Sequence, residues 1–205
     1  MFVKFGLPVN THMAGLYSGT MAKDLKPLAP AKLVPVMKTP DNVVVGDTLA
    51  MAETLAERHP DIAMWPADPA HRAFARWMVS EMHSGYAALR GDCPMNLAHS
   101  WADFTPSDAV LADVARIEDM WARARAMKPA GPWLFGDYSL ADVFFAPVAA
   151  RLAGYGLPLS DAARDYVMTH LRDPHFVEWR AEGAKVTYDP VPYDLPLTKA
   201  DWPVS

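Results

Sequence analysis

Cysteine occurs once in the 205 residues, as Cys93. A single thiol excludes an internal disulfide and a cysteine metal cluster, and it suits a reducing compartment. Basic charge is also short: 19 Lys and Arg stand against 24 Asp and Glu, a net charge of −5. With no basic excess to neutralise phosphates or an anionic lipid surface, neither nucleic acid nor a membrane is an expected partner. Long apolar runs are missing as well. The longest, Val143–Ala150, is eight residues and contains Pro147, against the roughly 20 that cross a bilayer. The amino-terminal MFVKFGLPVN has one lysine and no long apolar stretch, so no secretory signal is predicted. His12, His59, His71, His83, His99, His170 and His175 show neither an HExxH string nor a paired-ligand spacing, and no metal is expected.

What the chain does have is 51% hydrophobic and 21% charged residues, enough apolar mass for the core of one large or two small globular domains. The string RHPDIAMWPADPA, Arg58–Ala70, carries three prolines and separates two kinds of periodicity, which predicts a linker at 60–69. Before it, the β-branched run Val43–Val45 precedes a helix in which Leu49, Ala52, Leu55 and Ala56 recur at helical spacing, with Asp47 or Thr48 as its cap. After it, nearly everything reads as helix. Phe74, Trp77, Met78, Met82, Gly85 and Leu89 mark one face from Pro69 to Arg90, and Ser107 caps a stripe of Val110, Val114, Ile117 and Trp121. Ser139-Leu-Ala-Asp142 is an acidic capping box that opens a third helix, which Pro147 is expected to kink. Helices follow from Ser160 to Leu171 and, with Asp173 as cap and Pro174 at the first helical position, from Pro174 to about Lys185. Residues 190–205, with four prolines, are expected as an extended tail on the helical body, residues 70–189.

The stretch KLVPVM, Lys32–Met37, reads as a strand interrupted by Pro35, which cannot donate a ladder hydrogen bond. Taken alone it suits a trans proline on an edge strand, since only about 5 to 6% of X–Pro bonds are cis. Other strings change that reading. LVPVM, GDTLAMAETLAER, MWPADPAHRAFAR, SEMHSGYAALRGDCPMN and FGDYSLADVFFAPV together resemble the cytosolic glutathione transferases over nearly the whole chain, the middle strings being similar to bacterial members near the zeta-like branch. The resemblance implies an α/β thioredoxin-like N-terminal domain over 1–59 followed by an all-α helical domain. It implies glutathione as co-substrate, a homodimer and a cytoplasmic location.

The family pattern, carried onto this chain, implies a cis Val34–Pro35 bond that turns the Val34 main chain toward the cysteinyl backbone of glutathione. It implies that Asp47 meets the ligand's ammonium while Thr48 and the helix start receive the γ-glutamyl carboxylate. An N-cap role for Asp47 or Thr48 is compatible with both. Lys32 is a candidate for the glycyl carboxylate, but it stands one position earlier than in the family pattern, and a solvated surface lysine is the competing reading. On the long helix, His83 and Tyr86 are candidates for an electrophile pocket, against a structural role for each. Cys93 reads as a packed small hydrophobe.

A β-α-β-α-β-β-α module needs roughly 75 residues, and about 59 precede the linker. FGLPVNTHM aligns with the end of the first helix and the second strand, so the first domain is expected to be N-terminally truncated, with residues 1 to about 30 rearranged. The family's catalytic Ser, Tyr or Cys segment is not found, and the catalytic residue stays unknown. The alternatives are that FVKF is itself the first strand, with Tyr17, Ser18 or Thr11 as hydroxyl donor near the sulfur, or that catalysis is lost. The function implied is glutathione transfer to a small apolar electrophile, by conjugation or reversible addition. The alternative is a non-catalytic ligand-binding or assembly module of the same fold.

Overall fold

The computed structural model describes residues 1–15, 19–185, 193 and 195–203. The chain divides into two compact units, Met1–Met64 and Trp65–Ser205.

The first unit holds a short helix α1 (Met21–Leu25), flanked by single 3-10 turns at Val3–Phe5 and Lys26–Leu28. The strands β1 (Val36–Lys38) and β2 (Val44–Gly46) and the helix α2 (Thr48–Arg58) follow. The strands pair antiparallel with Val36 opposite Gly46 and Lys38 opposite Val44. Thr39 closes their turn. Its N–H donates to the Val43 carbonyl at 2.9 Å and its hydroxyl accepts from the Val43 N–H at 3.0 Å. Asn42, at φ 67, takes the left-handed conformation that Asn tolerates better than most residues. An exposed ion pair, Arg58 to Asp41 at 2.8 Å, ties the turn to the end of α2, and the Arg58 guanidinium holds the Asp41 carboxyl well below the usual carboxylate range. Helix α2 turns Met51, Ala52 and Leu55 inward.

Two expectations for this unit are corrected. The strand predicted from Leu33 begins only at Val36, because Pro35 brings no N–H to the ladder. Neither FVKF nor FGLPVNTHM forms a strand: Val3–Phe5 is a 3-10 turn, and no strand precedes Val36 among the described residues. Val9 and Met13 accordingly stay exposed.

The second unit contains α3 (Pro69–Ser84), α4 (Ala87–Asp92), β3 (Ser100–Trp101), α5 (Asp108–Met127), α6 (Leu140–Gly154), α7 (Asp161–Arg172), α8 (Pro174–Gly183) and β4 (Lys199–Ala200). The predicted helix through Arg90 is broken after Ser84. A Cβ on Gly85 would lie 2.6 Å from the Glu81 carbonyl oxygen, and Tyr86 adopts φ 55, so the chain restarts as α4. Trp77 is also corrected. It is 57% exposed while Phe74, Met78, Met82 and Leu89 are buried, because it lies edge-on to Phe74 from the solvent side.

Helix α6 is apolar nearly all round and runs through Pro147 as one element, the pattern of a helix surrounded by protein; α3 and α7 pack against it. Its start is fixed by Asp142, which has no exposed surface. One carboxylate oxygen accepts from the Leu134 N–H at 3.1 Å and the Tyr166 hydroxyl at 2.8 Å. The other accepts from the Ser139 N–H at 2.8 Å and the Ser139 hydroxyl at 3.1 Å. The capping box read from SLAD is thus present and extends to α7. Tyr166 in turn stacks edge-on with Trp121, ring centroids 4.6 Å apart. Near the chain's end, β4 pairs with β3, the Thr198 N–H donates to Asp103 at 2.8 Å, and Trp202 is buried beside Gly154. Of the tail expected at 190–205, only residue 193 and residues 195–203 are described.

Replacing Asp142 with Ala strands four donors, all on buried residues, and is expected to cost about 3 to 5 kcal/mol, a fall in Tm of about 10 °C or more; an unchanged Tm contradicts the assignment. A second prediction concerns pH. Burial pushes the Asp142 pKa up to about 6 from 3.8, against the pull of its four donors. The folded state therefore binds more protons than the unfolded chain between these values. The stability of the natural protein relative to Asp142→Asn should fall as pH rises from about 4 to about 6 and then level off. Denaturant melts across that range measure it.

Candidate functional site

The β1–β2 ribbon decides what is brought together in the first unit. With Val36 opposite Gly46, the residues preceding β1 and those following β2 leave the ribbon at the same end. Val34–Pro35 and Asp47–Thr48 thus become neighbours across the strands, although 12 positions or more separate them in sequence.

The Val34–Pro35 peptide is cis, as is Ala29–Pro30, which the sequence reading did not foresee. Val34 is 38% exposed, and among the described residues no hydrogen bond engages its N–H or C=O. Accessible main-chain groups without a partner, next to the end of a strand, can pair with another extended backbone.

Asp47 is the N-cap of α2. Its Oδ1 accepts from the Leu49 N–H at 2.8 Å and the Ala50 N–H at 3.3 Å. This resolves which of the two residues caps the helix, and it has a chemical consequence. Two of the orphan N–H groups at this helix start are already satisfied, whereas the N–H and hydroxyl of half-buried Thr48 take no partner among the described residues. Asp47 also stands at φ 71, ψ 130, a sparsely populated region for a residue with a Cβ. No signal in the sequence announces that strain. Lys32 is exposed and makes no hydrogen bond or ion pair among the described residues.

The remaining candidates lie elsewhere. Thr11 is exposed, and Tyr17 and Ser18 lie outside the described residues. His83, half-buried on α3, and Tyr86 belong to the second unit. Tyr86 is only 7% exposed, its hydroxyl lies 3.4 Å from Glu81 Oε1, and burial followed by the Glu81 charge pushes its pKa up. Glu81 is itself bound by both nitrogens of the Arg116 fork, at 2.7 and 2.9 Å, a bidentate pair that the sequence did not reveal. Cys93 is buried and burial pushes its thiol up to about 12, which leaves it protonated and inert near neutral pH. Among the described residues no cluster of three or more His, Cys, Asp or Glu is placed to hold a metal ion, and no helix is long and apolar enough to cross a membrane.

No known protein-family model matches the chain. A glutathione transferase homolog from Burkholderia GL BGR1, solved with bound glutathione, superposes with a TM-score of 0.66 at 21% identity, covering 90% of this chain and 88% of that one. The fold is that of the glutathione transferases. In sequence, the chain is 29% identical over 152 residues to a rat maleylacetoacetate isomerase, covering 68% of this chain and 62% of the relative. It is 38% identical over 74 residues to a probable maleylacetoacetate isomerase of Caenorhabditis elegans, covering 36% and 34%. The chain thus spans less than two thirds of the length of either curated relative. The zeta-like resemblance read from the sequence strings agrees with these relatives. Within the glutathione transferase fold, a thioredoxin-like first unit and a helical second unit are the parts described above.

The two properties of Asp47 pull in opposite directions, so its substitutions are informative. Asp47→Ala loses the cap and keeps the strained φ, Asp47→Gly loses the cap and relieves the strain, and Asp47→Asn keeps a capping oxygen and tolerates the backbone. Denaturant melts should rank the variants Asn above Gly above Ala, with Ala destabilised by about 1 to 2 kcal/mol. An Ala variant as stable as Asn contradicts the cap.

Proposed function

We propose that the protein binds glutathione in its first unit and transfers the thiolate to a small apolar electrophile. One observation carries this reading: the accessible, unpaired main chain of Val34 and the polar pair Asp47–Thr48 leave the same end of the β1–β2 ribbon. The cysteinyl backbone of glutathione pairs with Val34, its γ-glutamyl carboxylate lies against the N–H and hydroxyl of Thr48 at the positive end of α2, and its ammonium meets Asp47. Pro35 shapes the approach, and Lys32 remains a candidate for the glycyl carboxylate. The second unit supplies the electrophile site, with His83 as a candidate; Tyr86 contributes through its contact with Glu81. The protein works in the cytoplasm as a homodimer.

The name of the relatives, maleylacetoacetate isomerase, makes reversible addition the first chemistry to assay. The thiolate sulfur adds to one carbon of a conjugated double bond, the resulting single bond rotates, and elimination restores both the double bond and the thiolate. The alternative reading is a non-catalytic ligand-binding or assembly module of the same fold.

Retention on immobilised glutathione, combined with turnover of a generic aryl halide and of a conjugated dienone, separates these readings. Both retention and turnover are expected, and Asp47→Ala should weaken glutathione binding by about 10-fold or more, the loss of one charge-assisted contact. Retention without turnover establishes the module; no retention refutes the site.

A further inference from the structure

We draw no further inference here: the strongest candidate, the groove between α5 and α7 lined by Glu118, Trp121, Arg125 and Ser160, carries none, because Glu118 is already spent on the Ser160 N–H and hydroxyl at the start of α7, the Trp121 indole N–H, though without an acceptor among the described residues, is closed to solvent, and nothing in the structure shows what would fill the groove.

Discussion

The Asp142 carboxylate joins pieces of chain that sequence keeps apart: Leu134 in the approach to α6, Ser139 at its cap, and Tyr166 on α7. Burying a carboxylate is costly unless its lone pairs are satisfied, and here all four contacts come from donors already held by the fold. The aromatic packing of Trp121 and Tyr166 follows from the position that this contact gives Tyr166. The central helix α6 can be almost wholly apolar because its polar start is closed off in this way.

The first unit uses the same chemistry in a different setting. Asp47 is also an acidic cap, but it is exposed and strained, and its helix start is accessible. A buried cap adds rigidity, whereas an exposed cap leaves polar groups in reach of solvent and of a ligand. That contrast separates Ser139–Asp142 from Asp47–Thr48, although both begin as a short polar residue ahead of an apolar helical run.

The helices of the second unit were legible where caps and periodicity coincide, as at Ser107, Ser139, Ser160 and Asp173. They were misread where a local backbone event intervenes. Gly85 and Tyr86 break a helix whose apolar spacing continues through them, since periodicity reports side chains and not dihedral angles. The β3–β4 pairing joins residues about 100 positions apart, and such short strands leave no period to detect. In the first unit, residues 1–15 were assigned to elements by likeness to a longer module, but a strand forms only where a ladder partner exists. KLVPV and GDT lie on the two arms of the β1–β2 ribbon, whose register brings Val34–Pro35 and Asp47–Thr48 to one end of it.

The central claim is that glutathione docks through the main chain of Val34 and the start of α2. The most direct measurement is an amide-resolved NMR titration of the isotopically labelled full chain with glutathione. The account predicts saturable shifts concentrated at Val34, Thr48 and their immediate neighbours, with the amides around Asp142 unmoved. Saturable binding that shifts other amides and leaves Val34 and Thr48 where they were would contradict it.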